Sequence, residues 1–210
     1  MITLSYSTIQ YCLQTENSHN WLNKQMGIKV PDNEYFRNGK RLHEIIQGHL
    51  CGKKIDERLS HIQYVFPIVE ERDFDPRCEF IIPINAKYRM RGFLDALDPD
   101  NLTFGEIKTS GTMWTIGQFQ RSIQRKIYAL AHPKYTRAIG ITANIDDTKW
   151  AVERPKAYEL PLTEKDREEA LKWILAGIAE LEKAEFKGGL DENGKCTMRF
   201  CSYGINCQFK

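Results

Sequence analysis

Glu106, Ile107 and Lys108 make up the sharpest chemical feature of this 210-residue chain. Successive side chains of a strand alternate between faces, so Glu106 and Lys108 share one side while Ile107 points into a core. Asp95 ends the run Arg-Met-Arg-Gly-Phe-Leu-Asp upstream, and Asp98-Pro-Asp-Asn101 between them is a strong turn signal. If the two strands pair as a hairpin, Asp95 comes alongside Glu106, and two carboxylates and an ammonium occupy one spot. Carboxylates held that close repel each other unless one is protonated or a cation bridges them. A hard divalent ion, Mg²⁺ or Mn²⁺, is the natural occupant. A lysine beside it orients or deprotonates a water for attack on phosphorus. The outline is phosphodiester hydrolysis.

An acidic-x-Lys triplet occurs three times, at Glu106–Lys108, Asp147–Lys149 and Glu185–Lys187. Only the first sits in an apolar strand with Gly92-x-x-Asp95 upstream; on the strand pattern alone, a surface cross-strand ion pair is the competing reading. Downstream, Gln124 and Tyr128 form the only Gln-x-x-x-Tyr of the chain, and on a helix they project together. Arg121, Ser122, Arg125 and Lys126 add donors suited to phosphate oxygens, although an ordinary exposed amphipathic helix fits the same residues. Upstream, His43 in Gly39-Lys-Arg-Leu-His-Glu could complete a divalent site or guide water. His49 competes with it, and helical spacing puts the two on different faces.

The elements that must hold these groups follow from periodicity. The first ~60 residues read as helical. Ser5 or Ser7 caps a helix carrying Ile9, Leu13 and Trp21, and a second helix over 34–50 buries Phe36, Leu42, Ile45, Ile46 and Leu50. Four β-rich runs then cover 63–69, 78–84, 88–97 and 102–110. A helix over 115–131 stops at His132-Pro133. Strands at 138–145 and 148–153 join at Asp146-Asp147, and Thr163-x-x-Asp166 opens a helix to about Phe186. The order α-α-β-β-β-β-α-β-β-α-tail gives an α/β (mixed α+β) fold with a central mixed sheet flanked by helices. It reads as one domain over 1–210: a helical N-terminal segment over 1–60, a core with its closing helix over 61–187, and a cysteine-bearing tail over 188–210.

Hydrophobic and charged fractions of 41% and 28% exclude disordered and fibrous classes. A net charge of +2 excludes a protein that coats nucleic acid by charge alone, so any such contact is a local groove. No apolar run approaches a membrane span, and Met1–Gln14 lacks the pattern of a secretory signal, so a cytoplasmic protein without membrane contact is expected. Six cysteines in that setting point to metal binding or plain burial.

Taken in order, His43, Gly92-x-x-Asp95, Glu106-x-Lys108 and Gln124-x-x-x-Tyr128 resemble the PD-(D/E)XK nucleases of the RecB type, as does the opening Leu4-Ser-Tyr-Ser-Thr-Ile-Gln-Tyr-Cys12. The resemblance covers nearly the whole chain. It implies a restriction-endonuclease-like core with Asp95 and Glu106 as ligands of Mg²⁺ or Mn²⁺. His43 and the Ile107 carbonyl complete the metal site, Lys108 is the catalytic lysine, and Gln124 and Tyr128 are the substrate-strand motif. One subset, including CRISPR-associated RecB-like and AddB-type nucleases, joins its chain ends at a four-cysteine 4Fe-4S iron–sulfur cluster. Here that implies Cys12 with Cys196, Cys201 and Cys207. The first tail gap is four residues where the family has two, which leaves a four-cysteine Zn²⁺ site open. Cys51 and Cys78 read as small buried hydrophobes.

The resemblance implies a DNA exonuclease on single-stranded ends, in phage recombination, host repair or CRISPR adaptation. A structure-specific endonuclease of the same fold and a non-catalytic iron–sulfur or zinc nucleic-acid-binding module are the alternatives. Trp114, Phe119 and Tyr128 are candidate base-stacking aromatics. No P-loop is present, so unwinding would fall to a helicase or recombination partner; an oligomer is compatible with the chain.

Overall fold

The computed structural model describes residues 1–13, 33–70 and 76–183. Two compact units emerge, one of residues 34–82 and 91–170, the other of 1–33, 83–90 and 171–210.

The larger unit is built on β6 (Thr103–Ser110) and β7 (Arg137–Asn144), which run parallel from Thr103 opposite Arg137 to Ser110 opposite Asn144. Seven of the eight β7 residues are buried, as both-face coverage of a parallel pair requires. A parallel pair needs a crossover, supplied by α3 (Ile116–Arg121) and α4 (Ile123–Ala131). β8 (Lys156–Pro161) pairs antiparallel with β7 at one edge, while β5 (Ala96–Asp98) and β2 (Ile68–Val69) extend the other, giving the order β2-β5-β6-β7-β8. Helix α2 (Glu34–Leu50) lays Leu42, Ile46 and Leu50 against Ile107, Ile139, Ile141 and Trp150. The mixed sheet flanked by helices is therefore as expected.

Local differences have local causes. The helix expected over 115–131 breaks at Ser122, whose extended backbone (ψ 114°) and hydroxyl, accepting from Arg125 N–H, open a new cap. The run 148–153 is no strand: Asp146 accepts from the Thr148 amide and starts a single 3₁₀ turn, Asp147–Ala151. Its place in the sheet is taken by β8. The run 88–97 divides into β4 (Tyr88–Phe93) and β5. The Leu94 amide still donates to Cys78 in β4's hairpin with β3 (Glu79–Pro83), whereas the Asp95 carbonyl accepts from Glu70 next to β2. The chain changes sheets at Asp95. Of 63–69 only Ile68–Val69 is extended in a ladder, Pro67 having no N–H to offer.

In the smaller unit an unanticipated strand, β1 (Ile2–Leu4), pairs parallel with Tyr88–Met90. Helix α1 (Tyr6–Leu13) meets the end of α5 (Glu164–Leu181), with Tyr6 stacked on Trp173 at 5.5 Å and Ile9 seated on Gly177, where a Cβ would collide with it. Cys12 is buried here, and burial, then Glu180, pushes its thiol up to about 11. At the other end of α5, Thr163 and Asp166 cap each other's amides, as the spacing predicts. Trp21, the stretch around Phe186 and the three tail cysteines lie outside the described residues. No described helix is long and apolar enough to cross a membrane.

Candidate active site

The antiparallel registers put Val69, Ala96 and Gly105 side by side across β2, β5 and β6. One residue further along, Glu70, Asp95 and Glu106 form a row, tied by the Glu70 amide to the Asp95 carbonyl at 3.0 Å. The Asp95 carboxylate also accepts from the Ile107 amide at 2.6 Å, so its position is fixed by the backbone of the neighbouring strand. Ile107 is buried against α2, as alternation predicts, and Glu106 is buried on the other side. Gly92 of the Gly-x-x-Asp motif lies under the Phe80 ring, where a Cβ would clash.

Lys108 donates to Glu106 and, at 2.7 Å, to Gln124 Oε1; Gln124 Nε2 in turn donates to the Tyr128 hydroxyl at 2.5 Å. His43 Nε2 stands 3.4 Å from Asp95 Oδ1. The structure thus brings together His43, Asp95, Glu106, Ile107, Lys108, Gln124 and Tyr128. It also adds two residues that the sequence did not single out. Glu70 is one, and Gln47, whose amide reaches the Asp95 carbonyl at 3.5 Å, is the other.

Other sequence candidates are engaged elsewhere. Arg125 is buried and spends its guanidinium on Asp166 and on the carbonyls of Phe119, Gln120 and Pro161. Ser122 is a buried cap, and Lys126 pairs with Glu169. They are not open phosphate donors. His49 is buried beside the Ile62 carbonyl at 3.1 Å. Phe119, over Gly140, and Tyr128 are core residues; Trp114 is only partly covered.

The electrostatics is that of a crowded, partly dry acidic site. Burial, opposed by Lys108 and reinforced by Asp95, raises the Glu106 carboxyl to about 7, and burial with Asp95 does the same for Glu70. Burial also works to raise Asp95, but His43, the Ile107 amide and Lys108 outweigh it and hold that carboxyl below its usual range. For His43, burial favours the neutral ring, yet Asp95, Glu106 and Glu70 raise its pKa above the ordinary value. Tyr128 is pushed far up by burial and then by both carboxylates, so its hydroxyl stays protonated.

Among the described residues no three His, Cys, Asp or Glu side chains form a ready-made metal cluster. The donor set nevertheless suits a hard cation: Glu106 Oε2 is buried without a hydrogen-bond partner, close to a second carboxylate. Such an orphan oxygen costs about 1–3 kcal/mol.

Glu106 binds its proton more tightly folded than unfolded, so its contribution is intact below its ordinary 4.5 and is lost as pH rises to about 7. Metal-free Glu106→Gln should therefore come closest to the wild type below pH 4.5 and be more stable than it at pH 8, by about 3 kcal/mol. Parallel melting-temperature curves from pH 5 to 8 would contradict the assignment. Adding Mg²⁺ should narrow the gap by stabilising only the wild type.

The sequence matches the PD-(D/E)XK nuclease superfamily over residues 13–208. No curated protein matches it. Among solved structures, SSO0001 superposes with a TM-score of 0.59 at 16% identity, covering 99% of this chain and 87% of that one. An alkaline exonuclease from Laribacter hongkongensis, LHK-Exo, gives 0.51 at 15% identity, covering 88% of this chain and 90% of its own. Its complex with dAMP gives 0.52 at 16%, covering 88% and 89%. At these identities the likeness is one of fold.

Proposed function

The chain belongs to the PD-(D/E)XK nuclease superfamily, and from that premise we propose that it is a divalent-metal-dependent deoxyribonuclease working as an exonuclease on single-stranded ends. The observation carrying this reading is the buried Asp95–Glu106 pair with Lys108 bonded to Glu106 and Gln124. PD-(D/E)XK nucleases generally use divalent metals such as Mg²⁺. Here Asp95, Glu106, His43 and the Ile107 carbonyl would hold Mg²⁺ or Mn²⁺. When bound, the ion supplies Lewis-acid activation of the phosphate and neutralises its developing charge.

The chain's own residues do the rest. Lys108, anchored by Glu106 and Gln124, orients the attacking water and moves its proton. Gln124 aligns the substrate strand, and Tyr128, buried behind it, fixes the amide. Fold relatives that include an alkaline exonuclease, one structure of it holding dAMP, support DNA as substrate and attack from ends. A RecB-type affiliation follows the same motifs. In this proposal Cys12 joins Cys196, Cys201 and Cys207 in a 4Fe-4S cluster, or a zinc site, as the four-cysteine set of the resembling subset implies. A helicase or recombination protein is the fitting partner.

The test is digestion of end-labelled linear and circular DNA with Mg²⁺ or Mn²⁺, alongside iron and zinc analysis of anaerobically purified protein. Mononucleotide release from linear single strands, with circles resistant, is the expected result. Circles cut as fast as linear strands would replace the exonuclease with the endonuclease. No cleavage with either metal would overturn the enzyme reading in favour of a binding module.

A further inference from the structure

Beside the carboxylate row lies a cleft of about 500 Å³ whose lining includes Tyr35, Phe36, Lys40, His43, Glu70 and Thr109. Tyr35 and Phe36 are half-exposed, lie edge to face at 6.2 Å, and occupy the first turn of α2. Two adjacent exposed aromatics lining a cleft offer apolar, π-bearing surface to a ligand in it. Phe36, Gly39 and His43 stand at i, i+3 and i+7, the spacing of one helix face, and Tyr35 lines the same cleft one position round the helix. The Tyr35 hydroxyl accepts from the Gly111 amide at 3.1 Å, just past β6, which holds its ring in place.

We infer that Tyr35 and Phe36 are a stacking platform for unpaired bases of the substrate strand, and that preference for single strands resides there. The inference deepens the nuclease reading of the same cleft and rests on it. Every base offers a π-face, but only an unpaired one can leave its partner to lie on a protein ring. The same lining carries the carboxylates Glu44 and Glu70, while Lys40, four residues after Phe36 on the helix, suits the phosphate between stacked bases. Eight helical residues separate Tyr35 from His43, about 12 Å along the axis. That distance corresponds to roughly three base steps at about 3.4 Å each, so the platform meets bases a few nucleotides from the cut.

The test uses the full chain carrying Tyr35→Leu and Phe36→Leu together, which keeps apolar bulk and removes the π-faces. On single strands KM should rise about 10–100-fold, with kcat within about twofold of wild type. An abasic stretch at the same positions should weaken the wild type as much and leave the variant indifferent. In a Glu106→Gln background, single strands with 2-aminopurine a few nucleotides from the end should lose fluorescence on binding, and the Leu pair should abolish that quenching. Unchanged KM and unchanged quenching in the variant would overturn the platform while normal cleavage left the nuclease standing. Quenching that depends on the two rings, in a protein that cuts nothing with Mg²⁺ or Mn²⁺, would keep the platform and remove the nuclease.

Discussion

Lys108→Met should lower kcat by about 10²–10⁴-fold and leave KM close to wild type, with a lower melting temperature because buried Glu106 loses its ion-pair partner. The ammonium sits between the Glu106 carboxylate and Gln124 Oε1 and is only partly exposed, so its position is set before substrate arrives. Methionine retains the length and the apolar stem but neither donates nor titrates. Lys108→Arg should not rescue, because a guanidinium never releases a proton near neutral pH and its planar fork does not fit a point-charge site. Single-turnover cleavage of an end-labelled strand at saturating Mg²⁺ measures the effect directly. A Lys108→Met rate within about fivefold of wild type would remove Lys108 from the chemistry.

The second large effect concerns folding. Arg125→Met should cost about 3–5 kcal/mol, enough to unfold much of the protein at 37 °C. Arg125 is 4% exposed and satisfies Asp166 together with three main-chain carbonyls at the junction of α3 and α4 with β8 and the start of α5. Removing it leaves the buried Asp166 carboxylate without its cation and takes a hydrogen bond from each of three main-chain carbonyls. Asp166→Asn should cost less, since the amide oxygen still accepts from the guanidinium and Thr163. Urea denaturation separates the two. If Arg125→Met melted like wild type but lost affinity for DNA, the guanidinium would be a phosphate ligand after all.

That contrast shows what could be read in advance. Asp95, Glu106 and Lys108 were legible because strand alternation and one short hairpin bring them together; the relevant register spans few residues. Gln124 and Tyr128 were legible through the four-residue repeat of a helix. Glu70 was not, because its place in the row depends on β2 pairing with β5 across an intervening hairpin, and a slip of one residue would turn it away. Arg125 differs from Gln124 by one position, hence by about 100° of helix rotation, and nothing local says which of the two faces the interior. The tract 148–153 has strand-like composition, yet one aspartate accepting the amide two residues on was enough to make it a turn. The fold's outline thus came from periodicity, while burial of polar groups came only with tertiary contacts.

The bond from the Ile107 amide to the Asp95 carboxylate has a use of its own. A main-chain proton that elsewhere in a sheet would meet a carbonyl here meets an ionisable group, so its electron density follows the charge of that group. The amide resonance of residue 107 is accordingly a built-in spectroscopic gauge of Asp95. Its shift would record proton or cation capture at the carboxylate, in solution and without any substrate or reporter dye.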